Sequence, residues 1–408
     1  MADTHVEFCG VEFKNPLVVG SSELTLNEGN MRACIDAGAG GLVAKTLTDS
    51  QVMREQTAYS KWRFLDDSHR ISPGRIPHAF SFYGRSGLAE ETPEEWIKEL
   101  SAARRYGWER DCVVVGSIAG TTPEAWAELA GAMEECSVPL IEMNLGCPHP
   151  SELEGARTGM VVGQDPAAAA EAVEAVTEVT SIPVIVKLTP QVADMVHVVR
   201  GVREAGAAAV TLTNRFMGFA VDVEQARPYI YGWAGVGGPW VKPLTLRWVS
   251  KSYAAMPDLP IAGSNGAYGG TDVIEFMMSG ATVVEMCSSI MLNGFEHIST
   301  VVREVEQFMD RNGYATASEL VGIATAAAHT YEEIRALGRE RAEIDRELCI
   351  DCGICEEHCY YDAIAEQGGE YVILPECRGC GICSCVCPED AIRVILTGAA
   401  GASPDVAR

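Results

Sequence analysis

The chain of 408 residues is short of basic side chains, since 31 lysines and arginines stand against 57 aspartates and glutamates, a net charge of −26. Nucleic acids and anionic membrane surfaces are bound through a basic footprint, so neither is expected as a partner. No apolar run reaches the roughly 18 residues of a membrane span, and the N-terminus MADTHVEFCG has no secretory signal. These absences predict a cytoplasmic protein that does not cross a membrane.

A Gly-x-Gly-x-x-Gly motif that follows a strand and opens a helix is also missing, which excludes a Rossmann-type nicotinamide site. Hydrophobic residues nevertheless make up 47% of the chain, a share typical of folded domains with a complete core. The length allows two or three such domains.

Eight of the fifteen cysteines form two runs, C-I-D-C-G-I-C-E-E-H-C and C-R-G-C-G-I-C-S-C-V-C-P. Both have the C-x2-C-x2-C-x3-C spacing of bacterial ferredoxins, in which the fourth cysteine of each run ligates the other cluster. The spacing therefore predicts two [4Fe–4S] clusters, one held by Cys349, Cys352, Cys355 and Cys387, the other by Cys359, Cys377, Cys380 and Cys383. A disulfide framework or a zinc site is the alternative, which the duplicated spacing and the missing export signal disfavour.

Short apolar runs alternate with amphipathic helical patterns over the first 300 residues. The eight runs are 16–20, 41–46, 112–118, 139–144, 183–188, 208–214, 259–263 and 281–287. Helices are expected at 92–106, 123–135, 166–178, 191–204, 242–255, 270–279 and 296–311. This alternation is typical of an α/β protein whose parallel sheet is covered by helices. Eight units favour a (β/α)8 TIM barrel over a doubly wound sheet.

The predicted domains are the barrel at 1–312, a helical connector at 313–344, a ferredoxin-like domain with both clusters at 345–395, and a flexible tail at 396–408. Two long insertions, 47–90 and 215–241, follow the second and the sixth strand. We expect them at the carboxyl ends of the strands, where barrel enzymes build their active sites.

Polar residues end the predicted strands, among them Lys45 and Lys187. Two lysines at one barrel mouth need partners, which the phosphate and the N1/O2 edge of a flavin would supply. The turn GSNG and the segment CSS offer backbone N–H groups to a phosphate. A flavin would also convert between the one-electron chemistry of iron–sulfur clusters and a two-electron reaction.

The segment E-M-N-L-G-C-P-H-P at 142–150 resembles the flavin-dependent dihydroorotate and dihydropyrimidine dehydrogenases, as do KNPLVVGSS, GQDP, KLTP, VKPLTL, GSNG and both cysteine runs in the same order. The resemblance covers nearly the whole chain. It is closest to the bacterial NAD-dependent dihydropyrimidine dehydrogenase subunits that carry FMN and two [4Fe–4S] clusters. It implies an oxidoreductase acting on CH–CH groups.

The resemblance also implies residue roles. Cys147 would be the general acid/base on a mobile loop over the flavin, whose N5 exchanges hydride with the substrate. The residues expected to bind substrate are Asn144 and Asn214, together with Arg215 and Thr122, which stand where this sequence departs from the family. Those implied to contact FMN are Gly20, Ser21, Lys45, Thr46, Asn144, Lys187, Thr213, Gly237, Gly238, Gly263, Gly266, Cys287 and Ser288. His149 is interpreted as part of the loop structure rather than as a catalyst.

The sequence departs from this family where the substrate would be recognised. Thr122 stands where the pyrimidine enzymes have an asparagine, and Arg215 follows Asn214 where they have a threonine. Losing the amide removes a partner of the pyrimidine edge, whereas a guanidinium favours a carboxylate. The alternative is that Arg215 turns outward to a surface carboxylate. We therefore expect a small cyclic, carboxylated substrate with a C=C bond next to a carbonyl, rather than uracil or thymine.

Three other functions stay open at this point. They are a dihydropyrimidine dehydrogenase catalytic subunit, a dihydroorotate dehydrogenase, and an electron-transfer subunit without its own substrate. Without a Rossmann unit, electrons would pass through the clusters to or from an NAD(P)H-oxidising flavoprotein subunit or a ferredoxin. Since related enzymes are dimers or larger, a homo-oligomer or a hetero-oligomer is expected.

Overall fold

The computed structural model describes residues 2–72, 76, 79–152, 157–336 and 339–397. The chain divides into two compact units, Met1–Ala326 and Ala327–Arg408. Of the tail predicted at 396–408, residues 398–408 lie outside the described part. No helix within the described ranges is long and apolar enough to cross a membrane.

The first unit is built on eight parallel strands that close into a barrel. They are β1 (Leu17–Val19), β2 (Gly41–Val43), β3 (Val113–Ala119), β4 (Ile141–Leu145), β5 (Val184–Leu188), β6 (Ala209–Leu212), β7 (Ile261–Ser264) and β8 (Val283–Met286). Each strand pairs with the next, and β8 closes the ring on β1, with Glu285 opposite Val18. The predicted TIM barrel is thus confirmed, because a doubly wound sheet would leave two edges open.

Each barrel strand is followed by a helix that packs on the outside. The helices are α1 (Glu28–Asp36), α2 (Pro93–Trp108), α3 (Pro123–Glu135), α4 (Pro166–Thr177), α5 (Met195–Glu204), α6 (Lys242–Ala255), α7 (Gly270–Met278) and α8 (Glu296–Asn312). The sequence reasoning missed α1, which begins after the capping residue Asn27. Helix α5 begins later than predicted because Asp194 caps it and accepts hydrogen bonds from the N–H groups of Val196 and His197.

The two insertions join in one four-stranded antiparallel sheet that the sequence did not predict. Its strands, in spatial order, are Phe216–Gly218, Ala234–Gly237, Ser81–Arg85 and Lys61–Leu65. The rings of Trp62 and Phe82 stack across this sheet with their centroids 4.7 Å apart. The sheet therefore brings aromatic side chains from the first insertion beside the residues that follow β6.

The described residues of the second unit form two antiparallel strand pairs and three short helices. The pairs are Arg339–Ile344 with Ile392–Thr397 and Ile364–Gln367 with Glu370–Ile373, and the helices are Tyr331–Ala336, Ile354–Glu357 and Ile382–Val386. Gly353 and Gly381, each in a C-G-I-C segment, precede the last two helices with φ values of +77° and +78°, a conformation that favours glycine. The outer strand pair extends beyond 345–395 at both ends.

Candidate active site and cluster-binding cavities

A cavity with about 970 Å³ of free space, its open mouth included, lies where the strands of the barrel end. Residues within or directly after the carboxyl-terminal parts of seven of the eight strands line it, together with side chains from the insertion sheet. Twelve of the predicted site residues meet here: Ser21, Lys45, Thr46, Asn144, Cys147, Lys187, Thr213, Asn214, Arg215, Gly266, Cys287 and Ser288.

Five predicted site residues do not line this cavity. Thr122 caps α3, where its Oγ1 accepts a hydrogen bond from the N–H of Ala125 at 3.2 Å. Gly263 allows close packing against α7, because a Cβ there would lie 2.4 Å from a ring carbon of Phe276. The other three are Gly20, Gly237 and Gly238. Of these, Gly20 lies directly behind the lining, since a Cβ on it would come within 2.7 Å of Cys287 Sγ.

Arg215 faces the cavity rather than the surface. Its Cζ lies 4.9 Å from the ring centroid of Trp62, and its Nη1 donates a hydrogen bond to the Gly84 carbonyl at 3.2 Å. It makes no ion pair with any residue that the structure describes. Since a guanidinium has five N–H donors, most of its hydrogen-bonding capacity is left for a ligand.

Glu23 is a lining residue that the sequence reasoning missed. Its Oε1 accepts a hydrogen bond from Ser86 Oγ and lies 3.5 Å from Lys45 Nζ, which donates to Ser86 Oγ at 3.0 Å. Burial acts to raise the pKa of Glu23, but Lys45 and Ser86 outweigh burial and lower it. The carboxylate is therefore ionised. Its position directly after Ser21 and Ser22, at a strand end, was the signal available in the sequence.

Cys147 begins the loop after β4 and is buried in the cavity wall. Burial raises the pKa of its thiol, and this outweighs the opposite effects of the His149 N–H, Arg215 and Lys45. The thiol is therefore protonated at neutral pH and can donate a proton.

His149 also lines the cavity, although the sequence suggested a purely structural role. Its Nε2 accepts a hydrogen bond from the Ser86 N–H at 3.4 Å. Burial, together with the charges of Arg215, Arg85 and Lys45, holds its pKa well below the usual range. The ring is therefore neutral, and its Nε2 fixes the segment that carries Ser86.

The donor groups of the cavity fit FMN. Thr213 Oγ1 is buried and has no hydrogen-bond partner, and the N–H groups of Gly266 and Ser288 donate to no group that the structure describes. Lys45 and Lys187 add two cations to the same lining. Unpaired donors and cations around one cavity suit a ligand with a phosphate and several other acceptor atoms.

The second unit has two smaller cavities, each lined by four cysteines. Cys349, Cys352, Cys355 and Cys387 line one of about 360 Å³. Cys359, Cys377, Cys380 and Cys383 line the other, of about 330 Å³. This is the grouping that the ferredoxin spacing predicts. Among the described residues, no three His, Cys, Asp or Glu side chains are arranged to hold a single metal ion.

Backbone N–H groups point at the sulfur atoms of three of these cysteines. Ala363 donates to Cys359 Sγ at 3.3 Å, Ala342 to Cys377 Sγ at 3.4 Å and Ala391 to Cys387 Sγ at 3.3 Å. Hydrogen bonds to the sulfurs are among the factors that set the potential of a bound cluster. Cys385 is exposed and lines neither cavity.

Comparison with known proteins gives two matching family models. The model described as dihydroorotate dehydrogenase matches residues 4–309, and a 4Fe-4S binding domain matches residues 342–365.

Individual relatives match over most of their length. The chain is 27% identical to the NAD-dependent dihydropyrimidine dehydrogenase subunit PreA of Escherichia coli (strain K12), over 96% of this chain and 95% of the relative. It is 30% identical to the catalytic subunit of dihydroorotate dehydrogenase B (NAD(+)) of Pyrococcus abyssi, over 78% of this chain and 98% of the relative. The corresponding subunit of Methanothermobacter thermautotrophicus is 29% identical over 78% of this chain and 96% of its own length.

These matches confirm the predicted cofactors, FMN and [4Fe–4S] clusters, and the assignment as a flavin-dependent oxidoreductase. The residues that match the dihydroorotate dehydrogenase model lie in the first unit, and those that match the 4Fe-4S domain lie in the second unit. The chain belongs to the dihydroorotate dehydrogenase family.

Proposed function

We propose that the protein reduces, or reversibly oxidises, a C=C bond next to a carbonyl group in a small cyclic, carboxylated substrate. The single observation that carries this proposal is the position of Arg215, a cation without an ion-pair partner among the described residues, in the same cavity as the protonated thiol of Cys147. Bound FMN supplies the hydride chemistry of the reaction.

Cys147 is the general acid in the reductive direction. Its thiol gives a proton to one carbon of the double bond while the neighbouring carbon receives the hydride, so that one C=C bond becomes a C–C bond with two new C–H bonds. The positive charges of Arg215 and Lys45 stabilise the thiolate that remains, since both lower the pKa of Cys147. A proton from solvent then restores the thiol. In the oxidative direction the thiolate is the base that removes the proton.

Arg215 and two asparagines orient the substrate. The guanidinium binds the carboxylate through paired N–H groups. Asn144 Nδ2 donates to Thr46 Oγ1 at 3.1 Å, and Asn144 Oδ1 accepts from Asn214 Nδ2 at 3.4 Å, so the two amides form one polar edge in the cavity. This edge provides donors and acceptors for the carbonyl and ring nitrogen or oxygen atoms of the substrate.

Other residues of the same lining would hold the flavin. Lys45, Lys187 and Thr213 provide donors for the ring system and the ribityl chain, and the N–H groups of Gly266 and Ser288 provide donors for the phosphate. Gly20 keeps space beside Cys287 that a side chain would fill. Loss of Lys187 should weaken FMN retention and also destabilise the fold, because it leaves the buried carboxylate of Glu285 without its ion-pair partner.

A partner protein would exchange electrons with this chain, and the cysteines of the second unit would hold the two clusters that carry them. The relative from Escherichia coli is named as a subunit of an NAD-dependent enzyme, and this chain has no Gly-x-Gly-x-x-Gly motif of its own. These two observations support an NAD(P)H-oxidising flavoprotein subunit as the partner, with a soluble ferredoxin as the alternative donor or acceptor.

A dihydroorotate dehydrogenase is the second candidate function. Orotate carries a carboxylate on an unsaturated ring, so the position of Arg215 favours it over uracil and thymine, which have none. The relatives from Pyrococcus abyssi and Methanothermobacter thermautotrophicus carry this activity in their names.

The test is anaerobic photoreduction of the purified holoprotein, followed by reoxidation with a panel of uracil, orotate and non-pyrimidine ring acids, each acid also as its carboxamide. We expect ring carboxylates to restore the oxidised flavin spectrum, and their carboxamides and uracil not to. Reoxidation by orotate alone would select the second candidate. Reoxidation by uracil, with no preference for carboxylates, would overturn the proposal.

A further inference from the structure

Four polar side chains form a buried cluster inside the barrel. Glu142 on β4, Lys187 on β5, Thr211 on β6 and Glu285 on β8 are between 0% and 6% exposed. Lys187 and Glu285 also line the cavity, whereas Glu142 and Thr211 lie behind it. Burying a carboxylate inside a strand raises the free energy of the folded state unless the charge is paired. The charges of these four side chains must therefore balance one another.

The two carboxyl groups share one ammonium and one hydroxyl. Lys187 Nζ forms an ion pair with Glu285 Oε2 and lies 3.5 Å from Glu142 Oε1. Thr211 Oγ1 lies 3.1 Å from Glu142 Oε2 and 3.2 Å from Glu285 Oε1. One hydroxyl has one proton to donate. It therefore donates to one of the two carboxyl groups. The other carboxyl carries a proton, for which the direct hydrogen bond between the side chains of Glu142 and Glu285 provides an acceptor.

Glu142 is the carboxyl that carries this proton. Glu285 is the direct ion-pair partner of Lys187, whereas Glu142 Oε1 has no hydrogen-bond partner. Burial and the charge of Glu285 hold the pKa of Glu142 well above its usual range. Burial also acts to raise the pKa of Glu285, but the charge of Lys187 and hydrogen bonds outweigh it and lower that pKa. With one proton on Glu142 the cluster is neutral.

We propose that Glu142 is a neutral carboxylic acid and that Glu285 is the carboxylate that offsets the charge of Lys187, which lowers the reduction potential of the bound FMN. This proposal rests on the proposed placement of the flavin beside Lys187. A reduced flavin carries more negative charge than an oxidised one, so an uncompensated ammonium beside it would favour the reduced form. Glu285 and Glu142 act through Lys187 and are positioning residues in this account.

The test compares the wild-type protein with Glu142→Gln and with the double variant Glu142→Gln/Glu285→Gln, each as FMN-loaded holoprotein. These two variants differ from each other in the charge of Glu285 alone, because glutamine at position 142 can take up no charge. The FMN midpoint potential is measured by anaerobic spectroelectrochemical titration. We expect Glu142→Gln to match the wild type, since it replaces one neutral group by another.

In the double variant we expect the ratio of reduced to oxidised FMN at a fixed potential to rise about tenfold, which corresponds to roughly 30 mV for a two-electron couple. A rise of the same size in Glu142→Gln would show that Glu142 carries the charge and would overturn the proposal. An unchanged potential in the double variant would overturn the electrostatic role of Glu285.

Infrared difference spectra of the FMN-free protein separate this inference from the placement of the flavin. We expect a C=O stretching band of a buried, protonated carboxylic acid in the wild type and its loss in Glu142→Gln. If the band is present but the double variant leaves the potential unchanged, the protonation of Glu142 stands, and the effect of Glu285 on the FMN potential is wrong. If the band is absent from the wild type, Glu142 is not protonated, and this conclusion does not depend on where the flavin binds.

Discussion

The guanidinium of Arg215 lies over the indole ring of Trp62, with Cζ 4.9 Å from the ring centroid. The two residues belong to different insertions, which the antiparallel sheet brings together. On the backbone side, a Cβ on Gly235 would come within 2.7 Å of Arg215 Cζ, so the missing side chain there leaves room for the guanidinium. The cation is held by the ring and by this backbone before any substrate arrives.

Replacing Trp62 with leucine should raise the KM for the carboxylated substrate roughly 5- to 30-fold, because a desolvated cation–π contact contributes about 1–2 kcal/mol to the position of the arginine. The value of kcat should change much less, since Trp62 contacts none of the reacting atoms in this account. Steady-state kinetics measure both constants.

Trp108→Leu is the matched control for this variant. Trp108 also lies against an arginine, with Arg104 Cζ 5.5 Å from its ring, but it is 75% exposed at the end of α2. Its replacement should leave KM unchanged. Equal KM values in both variants and the wild type would contradict the role of Trp62 in substrate binding.

The pH dependence of the reductive reaction should report the thiol of Cys147. A proton donor is active below its pKa, and burial raises the pKa of this thiol from its ordinary value. The rate should therefore be constant across neutral pH and fall only in the alkaline range, whereas the oxidative rate should rise there. Cys112→Ala should keep this profile, because Cys112 is buried outside the cavity. A reductive rate that falls as the pH rises from about 6 to 7, where an ordinary histidine titrates, would contradict the role of Cys147 as the proton donor.

Thr122 should contribute to stability rather than to substrate binding. Its Oγ1 caps α3, so Thr122→Ala should lower the free energy of unfolding by about 0.5–2 kcal/mol. Thr122→Ser, which keeps the hydroxyl, should lose less. Denaturant unfolding measures the stability, and KM for the substrate should be the same in all three proteins. A raised KM with unchanged stability in Thr122→Ala would instead show that Thr122 contributes to substrate binding.

The crossed grouping of the cysteines predicts which variants disturb the same cluster. Cys352→Ser and Cys387→Ser should alter one and the same signal in electron paramagnetic resonance spectra of the reduced protein, although the two residues belong to different runs. Cys385→Ser should keep the full iron content and both signals, because Cys385 lines neither cavity. The grouping would be wrong if Cys387→Ser affected the signal that Cys377→Ser affects.

The sequence predicted most of the barrel and much of the cavity for one physical reason. Strands buried on both faces read as continuous apolar runs, so the polar residues that end them, such as Lys45 and Lys187, stand out and must meet at one end of a parallel barrel. The spacing of the eight cysteines predicted the cluster ligands equally well, because ferredoxin ligands recur at fixed intervals along the chain.

Other parts of the site depend on contacts between distant segments. Trp62 lies in the cavity because two insertions pair with each other, and no local pattern marks that pairing. Glu142 and Glu285 are single acidic residues inside apolar strands, and the proton on Glu142 follows from their common contacts with Thr211 rather than from their spacing in the sequence. Thr122 was assigned by its alignment with a family position, whereas helix capping determines where it lies.

The most direct test of the proposed reaction is rapid anaerobic mixing of photoreduced wild type and Cys147→Ala with a ring carboxylate that reoxidises the wild-type flavin. The reaction needs a proton from Cys147, and loss of a general acid costs roughly 100- to 10,000-fold in rate. We expect flavin reoxidation in the variant to slow by at least about 100-fold, with substrate affinity unchanged. Reoxidation of the variant at the wild-type rate would contradict the account, because the double bond would then be reduced without the thiol.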